Sequence, residues 1–284
     1  MSGVALMLCA DVAFAAMAAA TKFAGHRLPA SEIVFVRSFF SCLALVGILK
    51  NRKISLKANE PALLWARGIV GYIALQCYFW ALPQITLGTA VMLNYTAPFF
   101  AVIFSFFTLR EKPPLSVKLL LLVSSLGIYL LSSPEISGHG PAVLAGLLSG
   151  LLAGSVYVMI RQSNKTDTPL LIIFYFTLSC TIGSALLILK TGWLAPTPME
   201  WLGLLVITTS SLFGQIFLTF SLQRSPVWVV SPFGYLTPVI GLALGIIFWR
   251  ETPNAANLTG SALVIICGIV MLKKTAVLKP RASR

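Results

Sequence analysis

Residues 93–113 read LNYTAPFFAVIFSFFTLREKP, and residues 233–253 read FGYLTPVIGLALGIIFWRETP. At an offset of 140, Tyr95 meets Tyr235, Pro98 meets Pro238, Arg110 meets Arg250, Glu111 meets Glu251 and Pro113 meets Pro253. Five identities in nineteen positions exceed the roughly one or two that composition supplies. The offset continues outside this stretch: Pro29 matches Pro169, Ile33 matches Ile173, and Leu64 matches Leu204. Ile48-Leu49-Lys50 likewise matches Ile188-Leu189-Lys190. The chain therefore reads as two repeated units, residues 1–135 and 139–276, followed by a basic tail at 277–284.

Composition says where such a chain lives. It is 57% apolar and 10% charged, with a mean hydropathy of +0.90, far outside the soluble range. Crossing a bilayer core as helix takes about 20 mostly apolar residues. Ten stretches qualify: 3–23, 30–49, 61–82, 86–108, 115–132, 141–161, 169–189, 200–221, 228–248 and 256–273. Their apolar runs are continuous rather than alternating, which excludes a β-barrel. The expected fold is an all-α integral membrane protein with ten transmembrane helices. Five spans per unit is an odd number, so the second unit is expected upside down relative to the first. Such inverted repeats suit a molecule that opens to each side of the membrane in turn. Asp11 inside the first span, with no basic start before it, argues against a cleavable signal peptide.

The net charge of +13 invites a nucleic-acid reading, but the placement of the charges answers otherwise. With the N-terminus in the cytoplasm, fifteen Lys and Arg fall in cytoplasmic loops and the tail. Four fall on the opposite side: Lys22, Arg27, Lys190 and Arg250. That asymmetry satisfies the positive-inside rule with both termini cytoplasmic, as in a bacterial inner-membrane protein, and no nucleic acid is expected as partner. The five cysteines sit in five different spans with no paired spacing, which reads as packing. His26 and His139 lie in loops, and neither H-E-x-x-H nor a phosphate-binding GxxxxGK[ST] occurs. No metal, cofactor or catalytic residue is expected. Transport would then draw on gradients, and an intramembrane enzyme lacks its parts.

Proline inside a span removes one N–H and frees the carbonyl four residues back, here on Asn94 and Gly234. Paired interruptions at matching places in two halves point to a binding level near the midplane. Pro98 and Pro238 are the expected interruptions. Around them, Tyr72, Gln76, Phe79 and Trp80 share a face of the third span, and Asn94, Tyr95, Tyr157, Gln215 and Tyr235 supply further polar groups. Together they suit an amphipathic cargo, with rings for stacking and amides for hydrogen bonds. For Phe79 and Trp80, packing between helices is an equal alternative. Trp193, Trp201 and Trp228 read as interface anchors. The small-residue ladders Gly146/Gly150/Gly154 and Gly241/Gly245 read as sites of close helix approach within a monomer.

The ten-span doubled plan, Arg67-Gly68, the stretch EIVFVRSFF at 32–40, and Y-x-x-P followed by R-E-x-P resemble the EamA-type branch of the drug/metabolite transporter superfamily. The resemblance is stronger in the first half; in the second, Ile207-Thr208 and Ile172/Thr177 stand where Arg67-Gly68 and Glu32/Arg37 would repeat. It implies a secondary carrier of amino acids and derivatives, nucleosides or drug-like compounds. It also implies that spans five and ten lie away from the pathway. A lipid-linked sugar flippase of the same superfamily is the alternative.

Ionisable groups inside spans are costly and mark function by default. By helical rise, Asp11 lies about 18 Å below the outer end of its span, Arg37 about 11 Å below its own, and Arg67 about 9 Å inside the cytoplasmic end. Long side chains allow an Asp11–Arg37 or Asp11–Arg67 contact. Asp11 is then either a proton or cation coupling site with an exchanging partner, or one member of a permanent ion pair. Glu32, close in sequence to Lys22 and Arg27, is expected at the outer rim. The second half carries no comparable charge within its spans.

Overall fold

A computed structural model of the chain describes residues 2–24, 27–81, 84, 93–132, 140–250 and 252–277. Among them there is no strand. The helices are α1 (Gly3–Ala24), α2 (Ala30–Asn51), α3 (Pro61–Ala81), α4 (Ala97–Thr108), α5 (Leu115–Ser132), α6 (Gly140–Ser163), α7 (Pro169–Thr191) and α8 (Pro198–Arg224). A short α9 (Val227–Val230) runs through a 3-10 turn at Ser231–Tyr235 into α10 (Leu236–Trp249), and α11 (Ala255–Val277) follows. Eight segments are long and apolar enough to cross a membrane, with Val227–Phe248 counted as one. Ala97–Thr108 and Leu115–Leu131 are apolar but shorter. The expected fourth span, 86–108, begins outside the described residues, as do His26, His139, Glu251 and most of the basic tail.

Local chemistry sets the helix ends. α3, α7 and α8 start at Pro61, Pro169 and Pro198, where a missing N–H costs nothing and the fixed φ suits the first turn. Thr197 and Glu200 close a capping box on α8. At the other end of α4 and α10, Arg110 and Arg250 adopt left-handed backbone with φ of 55° and 54°. That conformation disfavours a residue bearing Cβ, and here it stops both helices. The repeated arginine of the sequence motif is thus a helix terminator in each copy.

The two prolines differ from expectation in their placement. Pro98 lies in the first turn of α4, and Pro238 is the third residue of α10. Neither is inserted in an unbroken helix. The break falls just before each, in the turn at Tyr95–Thr96 and the 3-10 turn at Ser231–Tyr235. A proline in the first turn lacks an N–H that had no intrahelical partner anyway. Thr96 Oγ1 donates to the Leu93 carbonyl at 2.6 Å, which also accepts from the Thr96 N–H, and so fastens the turn before α4.

Packing runs across the bundle. α1 lies along α8, α3 along α6 and α7, α2 along α7 and α8, α4 along α6, α1 along α10, and α5 along α11. Apolar side chains point outward as well as inward: Leu189 is 82% exposed, Phe107 72% and Ile247 68%. Apolar surface of this extent, on helices long enough to cross a membrane, suits contact with acyl chains. Trp193 and Trp201 are also exposed, whereas Trp228 packs between two core clusters.

The α6 glycines permit a close crossing with α4 and the turn before it. A Cβ on Gly154 would lie 2.8 Å from the Ala97 carbonyl oxygen and 2.9 Å from the Ala101 nitrogen. Gly146 and Gly150 meet Leu93 and Thr96 in the same way. Gly241, expected to repeat this ladder, meets nothing within 4 Å. Gly154→Ala should therefore cost about 1–3 kcal/mol by forcing backbones apart. Thermal unfolding in detergent checks this: the midpoint falls for Gly154→Ala and stays put for Gly241→Ala.

Candidate functional site

Three charges enter the interior from the first half of the chain. Arg67 comes from α3, which sits tightly on α7 because Gly68 faces Ser179 and the Tyr175 carbonyl, and Gly71 faces Phe176. Its guanidinium carbon stands 3.9 Å from the Phe176 ring centroid, and Nη2 donates to Gln215 Oε1 at 3.1 Å. Arg37, from α2, donates through Nη1 to Ser211 Oγ at 3.1 Å and touches Met17 Sδ at 3.5 Å. Asp11, from α1, accepts from Thr237 Oγ1 at 3.1 Å. Every hydrogen-bonding partner but Met17 is a neutral side chain from the second half.

All three charges line one cavity of about 200 Å³. Of the other sequence candidates, Asn94, Tyr95, Tyr157, Gln215 and Pro98 also line it. Tyr95 and Tyr157 surround the Asp11–Thr237 contact. Asn94 is steadied by donating to Ser149 Oγ at 3.2 Å. Thr237, Phe14, Met17, Gly71 and Phe176 complete much of the wall, and sequence reasoning did not single them out. Two signals were available: Thr237 sits beside Pro238, and it matches Ala97 at the repeat offset.

Other candidates lie elsewhere. Tyr72 packs on Gly183 and, with Gln76, faces Ser184 at the α3–α7 contact. Trp80 is half-exposed on the outer surface. Tyr235 is buried against α5, its hydroxyl 2.8 Å from Ser125 Oγ, and Pro238 does not line the cavity. Glu32 is buried near the Arg27 end of the bundle, with Oε1 accepting from the Leu194 N–H at 2.5 Å. Arg27 forms a forked pair with Glu200 at 2.9 and 2.7 Å. Among the described residues, no ion pair within 4.0 Å joins Asp11 to Arg37 or Arg67, and no group of His, Cys, Asp and Glu could hold a metal.

Two clusters of polar ties join the halves at the ends of the bundle. At one end, Arg27 bridges to Glu200 and the Ala195 carbonyl. At the other, Asp167 accepts from the Asn59 and Glu60 N–H groups at 2.8 and 3.3 Å. Nearby, Arg161 donates to the Leu222 and Gln223 carbonyls and lies 3.7 Å from Glu111. Burial raises the Glu111 carboxyl above its ordinary value, opposed by the Trp228 N–H and by Arg161.

A family model, the EamA-like transporter family, matches residues 1–133 and again 140–273. The chain belongs to the EamA-like transporter family. Among relatives, the Pseudopaline exporter CntI of Pseudomonas aeruginosa is 34% identical over 271 residues, covering 95% of each chain. The S-adenosylmethionine uptake transporter of Rickettsia conorii is 23% identical over 266 residues, covering 93% of this chain and 90% of that one. A solved crystal structure superposes with a TM-score of 0.85 over 98% of both chains at 20% identity, and so shares the fold. As an EamA-like transporter, the protein moves a small metabolite, and the buried charged cavity is the place to look for it.

The two tyrosines of the repeat should separate by experiment. Tyr235→Phe removes the Ser125 contact and should cost about 1 kcal/mol in unfolding, leaving half-saturation for cargo unchanged. Tyr95→Ala alters the cavity wall and should depress transport in membranes that contain normal amounts of protein. Wild-type flux from Tyr95→Ala would remove the cavity from the pathway.

Proposed function

We propose that the protein is a secondary transporter that carries a small amphipathic metabolite across the bacterial inner membrane by alternating access. Ten spans form two inverted five-helix repeats, residues 1–135 and 139–276, and both termini are cytoplasmic. The basic tail at 277–284 is topological. One chain suffices, and a proton or ion gradient supplies the coupling, with Asp11 the candidate coupling residue.

The observation that carries this reading is the lining of the cavity. Residues 140 apart stand in its wall together: Met17 with Tyr157, Leu75 with Gln215, Asn94 with Gly234, and Ala97 with Thr237. Helix packing supports the same exchange. Swapping the halves turns α1–α8 into α6–α3, α2–α8 into α7–α3, and α4–α6 into α10–α1, and returns α2–α7 and α5–α11 to themselves. The end ties obey it too. Position 27 meets 200 at one end, and 167 meets 60 at the other, each number shifted by 140. Two family matches in one chain and relatives named for export and for uptake fit a carrier whose direction its gradients decide. The last helix of each half, α5 and α11, pairs with its counterpart away from the cavity, as the family resemblance implied.

Counterflow in proteoliposomes tests the function, with amino acids, nucleosides, S-adenosylmethionine and aromatic cations as the panel. Saturable exchange of at least one compound is expected. Fusing an alkaline phosphatase reporter to the C-terminus tests orientation, and strong periplasmic activity would reject it. In a background without native cysteines, the pair Arg27→Cys and Glu200→Cys should cross-link and stop counterflow until reductant is added. Undiminished exchange in the cross-linked protein would count against opening at that end.

A further inference from the structure

The cavity holds charge that its own walls do not answer. Asp11 Oδ2, Arg37 Nε, and Arg67 Nε and Nη1 are buried with no hydrogen-bond partner. Asp11, Arg37 and Arg67 are only 0%, 5% and 1% exposed. An arginine stays protonated at any relevant pH, so it cannot escape burial by neutralising. An unpaired buried ion costs several kcal/mol, and its usual remedy is a partner ion. Here the charges do not pair with one another, yet they border one space of about 200 Å³. Open donors and an open acceptor around a void describe a site completed by something that enters it.

The charges fall into two groups with different neighbours. Arg37 and Arg67 both face Cys180 on α7. Arg67 is held between Phe176 and Gln215, so its free Nε and Nη1 are already oriented. Asp11 lies instead with Thr237 of α10 and the rings of Tyr95 and Tyr157. Such rings also suit a cation. One carboxylate against two guanidiniums leaves one positive charge in excess.

We propose, building on the carrier reading above, that the cargo is an aminocarboxylate bound through both charges at once. A cargo carboxylate docks on Arg37 and Arg67, and a cationic amine docks on Asp11. Compounds with two carboxylates and one amine match the excess charge best. Arginine suits this task because it binds carboxylates through several N–H groups in a fixed plane. Asp11 then selects for the amine, which a pair of arginines alone would not require.

The test uses the full chain in proteoliposomes and counterflow of radiolabelled L-glutamate and S-adenosylmethionine. Glutarate serves as the amine-free probe, and adenosine and tetraphenylphosphonium as carboxylate-free probes. Saturable counterflow of at least one aminocarboxylate is expected, with glutarate, adenosine and tetraphenylphosphonium weaker. Arg37→Gln and Arg67→Gln should each raise its half-saturation concentration at least about tenfold, the scale of a lost charge-assisted hydrogen bond. Arg67→Lys should restore part of that loss, and Asp11→Asn should erase the preference for the amine-bearing probe over glutarate. Unchanged elution and thermal midpoint exclude misfolding as the cause. Counterflow of adenosine or tetraphenylphosphonium that is untouched by Arg67→Gln overturns the cargo class but leaves the carrier intact. Absence of counterflow for every probe overturns the carrier reading as well.

Discussion

An ionised side chain in hydrocarbon must find a partner within reach, and three of them shape this interior. Asp11, Arg37 and Arg67 all belong to the first half, and they are met by Thr237, Ser211, Gln215 and Phe176 of the second. Each contact is one hydrogen bond or one ring face, enough to orient a charge but not to neutralise it. The two halves are thereby tied across the cavity by bonds of modest strength. Membrane hydrogen bonds of this type are worth about 1 kcal/mol or less, so they can be exchanged without dismantling the bundle.

The helix pairs that frame the cavity differ in what holds them. α4 lies against glycines of α6 with backbone close to backbone, a contact that tolerates little added bulk. α1 and α8 pack at length and are fastened near one end by Ser221 donating to the Gly3 carbonyl at 2.7 Å. Rigid pairs of this sort can move as bodies, since sliding side chains are few at glycine-lined contacts. The weak points are the polar contacts at the cavity and at the two ends. Motion that breaks those and spares the glycine crossings is the least costly.

Much of the fold was legible because a bilayer narrows the choices. Long apolar runs place the helices: α3 and α7 begin at the expected residues 61 and 169, and α8 begins at Pro198, two residues ahead of the expected 200. The repeat at Pro98 and Pro238 marked the level of two breaks, but not their form. A proline has the same sequence signature inside a helix as in a first turn, and only the preceding turn decides between them. Site residues were harder to read. The charges could be found individually, since each is anomalous in an apolar run. Their partners could not, because a serine such as Ser211 or a threonine such as Thr237 is unremarkable in any span. The pairing of Asp11 with Thr237 rather than an arginine depends on distances between helices that no sequence period encodes. Tyr235 illustrates the same limit: its match to Tyr95 is plain, yet one ring lines the cavity and the other turns to Ser125. A repeat in sequence does not oblige equal surroundings.

The ties at the two ends occupy matching positions but use different chemistry. One is a guanidinium–carboxylate fork at Arg27 and Glu200, with Arg27 44% exposed at its side chain. The other is a carboxylate, Asp167, capping the backbone at Asn59 and Glu60, with no opposite full charge in the contact. Mobile ions screen exposed charges most strongly beyond a Debye length, about 8 Å at physiological salt; they weaken an exposed contact pair modestly and a buried cap less still. The molecule therefore meets the solutions at its two faces on unequal terms. A rise in ionic strength weakens the first tie more than the second, so the two ends of the bundle differ in how they answer to the medium around them.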